Sequence, residues 1–256
     1  MKRYRKKYAG LSLIVSISAT ALMVIILDQP IIQDPSYHQF IDSHRLLGIP
    51  NFLNVISNIA FLFVGSLGLY KLLISNSLTI NNEFKIAYQL LFFALALIAL
   101  GSAYYHLAPN NQRLSWDRLA MTVGFMSLFS IIIYEFISPR AGKIFLLPAI
   151  LAGLFSVIYW IVTEDRGAGD LRAYILVAFL PVLLTPIILL FFRSAYNDTS
   201  GYWWLLFTYL LAKLSEHYDV QIFIITGVIS GHSLKHLFAA LGFYLLLKSY
   251  ENRHLN

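Results

Sequence analysis

The sequence contains no cysteine and carries few charged residues for its length. Without cysteine the chain has no disulfide bond, no thiolate ligand and no thiol nucleophile, so a metal site must use histidine and carboxylate side chains. Charged residues make up 12% of the 256 residues, about half of the roughly 25% that is usual in globular proteins. Because so little of the chain suits contact with water, two soluble domains are excluded.

Hydrophobic residues make up 58% of the chain and form long runs. Several runs exceed the ~18 residues that a membrane-spanning helix needs. We predict an all-α, polytopic membrane helical bundle of eight spans, at roughly 10–27, 51–73, 85–107, 118–137, 143–163, 171–192, 201–215 and 228–248. The seventh is short and runs into a charged stretch.

Basic residues are unevenly distributed between the predicted loops, and this pattern predicts the orientation of the bundle. With the N-terminus inside, the cytoplasmic segments carry twelve of them: Lys2, Arg3, Arg5, Lys6, Lys7, Lys71, Lys85, Arg140, Lys143, Arg193, Lys248 and Arg253. The segments on the other side carry five: Arg45, Arg113, Arg118, Arg166 and Arg172. Both termini are therefore predicted to be cytoplasmic. The net charge of +6 is explained by basic residues that flank the predicted spans, so it does not indicate a nucleic-acid partner.

The first predicted span follows a basic flank, as the apolar segment of a signal peptide does. It is long, however, and it ends in DQPIIQDP rather than in a small-residue cleavage site. We therefore predict an uncleaved signal anchor.

Three histidines lie in apolar runs, where an imidazole is costly and by default marks a functional site. His106 ends the third predicted span, with Ser102 one helical turn before it and Asp117 eleven residues after it. His232 and His236 lie one turn apart in the stretch GHSLKHLF, on one helix face. Three imidazoles with an open fourth position form a common catalytic zinc site.

The predicted topology brings these residues to one level, near the outer side of the membrane. Asp117 is suited to accept a proton from a water molecule that a metal activates. Ser102 is suited to hydrogen-bond that water or the developing oxyanion. The alternative is that the histidines hydrogen-bond one helix to another, or line a cofactor or proton path.

The order of these motifs resembles that of the alkaline ceramidases. The shared pattern is S-x3-H, an aspartate eleven residues after the histidine, and a C-terminal H-x3-H followed by LFAALGFY. The stretch NFLNVISNIAFLFVG is similar to the opening of the first core helix of that family. These enzymes belong to a superfamily of seven-span membrane hydrolases that also contains the adiponectin/progestin-type receptors.

The resemblance extends from about residue 36 to about residue 248, and it implies two parts of the chain. Residues 1–35 would form the cytoplasmic basic flank and the signal-anchor span. Residues 36–256 would form a seven-span, ceramidase-like hydrolase domain. The first span would therefore be an addition to the seven-span core.

The resemblance also implies roles for the site residues. His106, His232 and His236 would bind zinc. Asp117 would activate a water molecule, and Ser102 would steady the tetrahedral intermediate. The implied reaction hydrolyses the amide bond of an N-acyl lipid such as ceramide to a fatty acid and an amine. The predicted topology puts this reaction at the periplasmic or lumenal side. The expected partners are a membrane lipid substrate and the bilayer.

One departure concerns calcium. Alkaline ceramidases bind it through an acidic N-terminal loop and a glutamate at the mouth of the first core helix, a position that is Asn51 here. Calcium prefers six to eight oxygen ligands, whereas the preceding loop offers only Asp42 nearby. This argues against a calcium site and also weakens the case for ceramide as the substrate. We predict instead that His38, Asp42, Arg45 and Asn51 contact a substrate head group.

Two other polar stretches are interpreted as structural. Asn54, Ser57 and Asn58 share one face of the second span and are expected to hydrogen-bond to neighbouring helices. The residues from Glu216 to Asp219 end the seventh span and are interpreted as a solvated helix end, with a role in substrate access as the alternative.

Two further functions fit the same residues. One is a receptor of the same fold with structural zinc, although the short terminal segments offer no long signalling domain. The other is a transporter or proton pathway, which predicts broken helices and related halves that are not evident in the sequence. N-acyl sphingoid, N-acyl amino acid and N-acyl ethanolamine lipids stay open as substrates, and the oligomeric state is not indicated.

Overall fold

A computed structural model of the protein describes residues 2–255. The chain is 78% helical, and the described residues form no β-strand. The helices are α1 (Lys2–Leu27), α2 (Phe52–Ile56), α3 (Ile59–Leu73), α4 (Lys85–Leu107), α5 (Asn111–Ile132), α6 (Pro139–Asp165), α7 (Arg172–Phe191), α8 (Ser200–His217), α9 (Asp219–Thr226) and α10 (Gly231–Asn252). Short 3-10 turns at Pro35–His38 and Asn82–Phe84 precede α2 and α4, and a wider π turn at Ile133–Ile137 extends α5.

Six helical segments of the described chain are long and apolar enough to cross a membrane. They are Tyr4–Leu27, Phe52–Leu73, Asn82–Leu107, Asn111–Ile137, Pro139–Asp165 and Arg172–Phe191. The pair α9 and α10 makes a seventh if it is counted as one span with a bend of 103°. The prediction of an all-α, polytopic membrane bundle is therefore confirmed.

The C-terminal part differs in detail from the predicted spans. Helix α8 occupies the predicted seventh span but is not among the helices apolar enough to cross a membrane, because Lys213 and Glu216 lie in its last turns. The predicted eighth span begins too early, since the last helix starts only at Gly231. The short helix α9 was not predicted, and it ends at Gly227, whose φ of 66° is a conformation that favours glycine.

Helix α4 lies at the centre of the bundle, between α3 and α5. Glycine allows one of these contacts, because a Cβ atom at Gly65 would lie 2.7 Å from the backbone oxygen of Phe92. Helices α8 and α10 form a second close pair, and α1 packs on α7. Only 6% of the apolar window of α1 is buried, so most of this helix faces outward.

A buried ion pair lies at the end of the bundle away from the three histidines. Arg253, one of the basic residues of the predicted cytoplasmic segments, is fully buried and donates two hydrogen bonds, of 2.7 and 2.9 Å, to the carboxylate of Glu135. The hydroxyl groups of Tyr88 and Tyr202 donate to the same carboxylate at 2.5 and 2.8 Å. The bidentate pair and the two hydroxyls satisfy a charge that would be costly if it were buried alone.

Candidate metal centre

Two helix ends carry the three histidines. His106 lies in the last turn of α4, and the other two lie in the first two turns of α10. Helix α10 starts directly against α8, because Gly231 has no side chain: a Cβ atom there would lie 2.0 Å from the backbone oxygen of Ser215. The carboxylate of Asp219 accepts a hydrogen bond of 2.7 Å from the backbone N–H of His232. These contacts fix where α10 begins and therefore where its histidines lie.

The three imidazole rings converge in the interior. Their centroids are 4.9 to 5.1 Å apart, and each residue is 1 to 5% exposed. One ring nitrogen from each of His106, His232 and His236 lies within 4.8 Å of the others, close enough to bind one metal ion.

The spacing of two of these nitrogens fits zinc. Nε2 of His106 and Nε2 of His232 are 3.3 Å apart. Two nitrogens bound to zinc at about 2.0–2.1 Å with tetrahedral angles lie about 3.3–3.4 Å apart. Three histidines are also the donor set of several catalytic zinc sites. The residues present therefore fit a zinc ion with an open fourth position.

The orientation of His236 is set by the break between α2 and α3. Ser57, at this break, lies with its Oγ 2.8 Å from Nδ1 of His236. A histidine held through one ring nitrogen presents the other to a metal. Asn54 supports α10 as well, because its side-chain oxygen accepts a 2.7 Å hydrogen bond from Ser233. Asn58 donates to the backbone oxygen of Asn54 at 2.8 Å. The expected hydrogen bonding to a neighbouring helix is thereby confirmed for Asn54 and Ser57, whereas the recorded bonds of Asn58 lie within its own segment.

Two residues of the segment before α2, Phe40 and Asn51, also contact the histidines. The ring centroid of Phe40 lies 4.7 Å from that of His106 and 4.5 Å from that of His232. Asn51 donates a 2.8 Å hydrogen bond to the backbone oxygen of His106. That carbonyl belongs to the last turn of a helix and has no partner within it. Asn51 therefore supports a histidine of the cluster, and Phe40 is a cluster residue that the sequence did not indicate.

Asp117 and Ser102 line one cavity together with His236. Helices α4 and α5 approach closely here, since a Cβ atom at Gly101 would lie 2.9 Å from the backbone oxygen of Trp116. Oδ1 of Asp117 is buried and has no hydrogen-bond partner among the described residues. A buried carboxylate oxygen without a protein partner is free to bond to water or to a ligand. The structure therefore places both predicted catalytic residues on the wall of a cavity that His236 also lines.

The cavity has a volume of about 370 Å³ and lies between α4, α5, α7, α8 and α10. This is within the range of small-molecule sites, roughly 300–1,000 Å³. Most of its wall is apolar, with side chains that include Phe125, Leu128, Phe129, Ile175 and Phe243. Its few polar groups are suited to hold a head group, and its apolar wall is suited to an acyl chain.

The four residues predicted to contact a head group are not among those that line this cavity in the described chain. His38 bonds through its two ring nitrogens to Tyr105 and Asn111, at 2.9 and 2.8 Å. Asp42 is buried and contacts the neighbouring His44, and Arg45 is exposed. Asn51 supports His106, as described above. A role of these residues in substrate binding stays a prediction.

Charged residues that the sequence did not assign to the site do line the cavity: Arg118, Lys213, Glu216 and Lys235. The interpretation of Glu216 as part of a solvated helix end is wrong, since its side chain is only 21% exposed and forms ion pairs with Lys213 and Lys235. Nζ of Lys235 also lies 3.1 Å from Nε2 of His232. A lysine inside an apolar run is unusual, so the sequence could have marked Lys235 as a candidate site residue. Its partner Glu216 lies on another helix and could not be identified in that way.

Comparison of the chain with protein-family models and with curated proteins gives no match. The resemblance to the alkaline ceramidases therefore rests on the motifs and their spacing. The description of the histidine cluster and its surroundings is supported by the geometry of the structure alone.

Proposed function

We propose that the protein is a zinc-dependent intramembrane hydrolase that cleaves the amide bond of an N-acyl lipid to a fatty acid and an amine. The observation that carries the proposal is the convergence of three buried imidazoles from two helix ends, one of which, His236, lines an apolar cavity together with Asp117 and Ser102. The choice of an amide bond comes from the resemblance to the alkaline ceramidases.

Zinc held by these three imidazoles would supply a Lewis acid that polarises a carbonyl group and makes water more acidic. We assign to Asp117, whose Oδ1 has no hydrogen-bond partner among the described residues, the role of accepting the proton that the attacking water loses. We assign to the hydroxyl group of Ser102, which lines the same cavity, a hydrogen bond to the oxyanion that forms on the substrate carbonyl. Asp117 then returns the proton to the departing amine.

We also propose that the site lies toward the outer side, periplasmic or lumenal, with both termini in the cytoplasm. The distribution of basic residues supports this orientation. The histidines lie at the C-terminal end of α4 and the N-terminal end of α10, which are the outer ends of these helices in the proposed topology.

One observation favours the transporter alternative. A transporter predicts broken helices near its binding site, and the chain is broken between α9 and α10 by a bend of 103° next to the histidines. The break between α2 and α3 also lies at the cluster, through Ser57. Measuring fatty-acid release and solute uptake on the same reconstituted protein separates the two functions.

The test of the proposal begins with metal content. We expect about one zinc ion per purified chain by mass spectrometry, and its loss in His232→Ala/His236→Ala. The matched control, His217→Ala/His254→Ala, removes two exposed histidines outside the cluster and keeps the metal. A folded wild-type protein that neither contains nor takes up zinc would refute the proposal.

Catalysis is tested separately from metal binding. We expect Asp117→Asn to retain zinc and to release fatty acid from N-acyl lipids at least ~100-fold more slowly than the wild-type protein, as for loss of a general base. Turnover at the wild-type rate in this variant would exclude Asp117 as the base.

A further inference from the structure

We infer that the cavity binds an acyl amide that carries an anionic group, a carboxylate or a phosphate, close to the scissile bond, and that Arg118 recognises this group. The inference rests on the proposed hydrolase function and narrows its substrate class. Arg118 directly follows Asp117 in α5, and both residues line the cavity.

Arg118 is a buried cation that forms no ion pair with a carboxylate of the described residues. Its side chain lies in the interior, and the residue is 7% exposed. Its Nη2 donates a 2.6 Å hydrogen bond to the neutral side chain of Gln33. Its Nη1 has no hydrogen-bond partner in the described chain. An isolated buried charge is costly, so this arginine is poised for an anion that the protein itself does not supply.

Aromatic rings hold the guanidinium group in place. Its central carbon lies 4.2 Å from the ring of Trp160, 4.7 Å from that of Tyr174 and 5.9 Å from that of Tyr37. Such contacts offset part of the cost of burial, but they provide no acceptor in the guanidinium plane for Nη1, which has no hydrogen-bond partner in the described chain. A stacked guanidinium with a free donor suits the paired oxygens of a carboxylate or a phosphate.

No carboxylate on the cavity wall forms an ion pair with Arg118 in the described chain. Glu216 is already paired with both Lys213 and Lys235. Asp117 precedes Arg118 in the helix, but it forms no ion pair with the guanidinium group, and its Oδ1 has no hydrogen-bond partner. The wall thus carries three basic and two acidic side chains, and a zinc ion would add more positive charge. This balance favours an anionic ligand over a neutral one.

The geometry separates the lipid classes that the sequence left open. An N-acyl amino acid carries its carboxylate close to the amide nitrogen, so zinc and Arg118 would contact neighbouring groups of one substrate. An N-acyl ethanolamine phosphate carries an anion a few bonds further away. A neutral N-acyl ethanolamine would leave Arg118 unpaired.

The experiment compares three ligands with one acyl chain: N-dodecanoylglycine, N-dodecanoylethanolamine and N-dodecanoylethanolamine phosphate. Dissociation constants are measured by tryptophan fluorescence on the full-length, zinc-containing protein in detergent, and fatty-acid release is measured on the same samples. We expect at least one anionic ligand to bind roughly 10- to 100-fold more tightly than the neutral one, as for a hydrogen bond to a charged group. The anionic ligand that binds more tightly shows whether the site prefers a carboxylate or a phosphate.

Variants then assign the preference to one residue. Arg118→Gln is expected to abolish the preference, and Arg118→Lys to retain part of it, because lysine keeps the charge but not the planar fork. The matched control is Arg113→Gln on the same helix, whose arginine stacks on Tyr104 away from the cavity wall. It should leave the preference unchanged.

Equal affinity of the wild-type protein for all three ligands would overturn the inference, whether or not any variant folds. A preference that survives in Arg118→Gln would also overturn the role of this residue. An anion preference without fatty-acid release from any ligand would refute the hydrolase function while leaving anion recognition by Arg118 supported.

Discussion

Replacement of Ser57 by alanine isolates the contribution of a residue that does not bind the metal itself. The change removes one oxygen atom, whose 2.8 Å contact with Nδ1 of His236 spans 179 positions of the chain. The ring of His236 then loses the partner that orients it, while all three imidazoles stay in place. Loss of such a supporting hydrogen bond usually lowers metal affinity about 10- to 100-fold, or roughly 1.4–2.8 kcal/mol.

The assay is a zinc competition titration against a chromophoric chelator, on wild-type protein, Ser57→Ala and Ser57→Thr. Threonine keeps the hydroxyl group and should restore most of the affinity. The matched control is Ser156→Ala, since Ser156 is also buried, at 1% exposed against 9% for Ser57, but bonds within its own helix, to the backbone oxygen of Gly153 at 2.7 Å. It should bind zinc as the wild-type protein does.

Two results would refute this reasoning. Unchanged zinc affinity in Ser57→Ala would mean that the contact does not orient His236. An equal loss of affinity in Ser156→Ala would mean that the effect arises from general loosening of the bundle.

Three further predictions concern packing and charge. Arg253→Ala leaves Glu135 as an unpaired buried charge and should lower the free energy of unfolding by about 3–5 kcal/mol in a denaturant titration. The double variant Arg253→Met/Glu135→Leu should recover most of this free energy. A double variant less stable than the single one would contradict the argument. Gly231→Ala introduces a Cβ atom 2.0 Å from a backbone oxygen of α8 and should shift the start of α10. We expect weaker zinc binding and a loss of about 1–3 kcal/mol in the free energy of unfolding. Unchanged zinc affinity in this variant would show that α10 accommodates the added atom. Hydrogen bonds from Arg172 hold the pKa of Asp170 below its usual range, so its contribution to stability is present at pH values above about 4 and is lost as the pH falls through the lowered pKa. The melting temperature of Asp170→Asn should therefore lie below that of the wild-type protein at pH 7, and the difference should narrow as the pH falls below about 4 and through the lowered pKa. A difference that stays constant over that range would contradict the argument.

The break between α2 and α3 shows how local structure serves the site. A continuous helix through Ser57 and Asn58 would use their backbone groups within the helix and keep a regular polar face. The break lies where Asn54 and Ser57 contact α10. The polar residues that interrupt this span are therefore also the ones that hold the histidine helix.

Much of the fold, and the three histidines that converge within it, could be predicted from the sequence. The length and apolarity of a run are local properties, so the sequence by itself determined that the chain forms an all-α membrane bundle. The spacing of His232 and His236 placed both on one helix face before any fold was known. The cost of an imidazole in an apolar run marked His106 as a candidate partner.

Only the tertiary structure decided which of these groups meet. His106 and His232 are separated by 126 positions, and Glu135 and Arg253 by 118. The burial of Arg118 and the pairing of Glu216 also depend on packing between helices. The physical reason is that periodicity reports the face on which a residue lies, whereas contacts, burial and unpaired charge arise only when helices distant in sequence pack side by side.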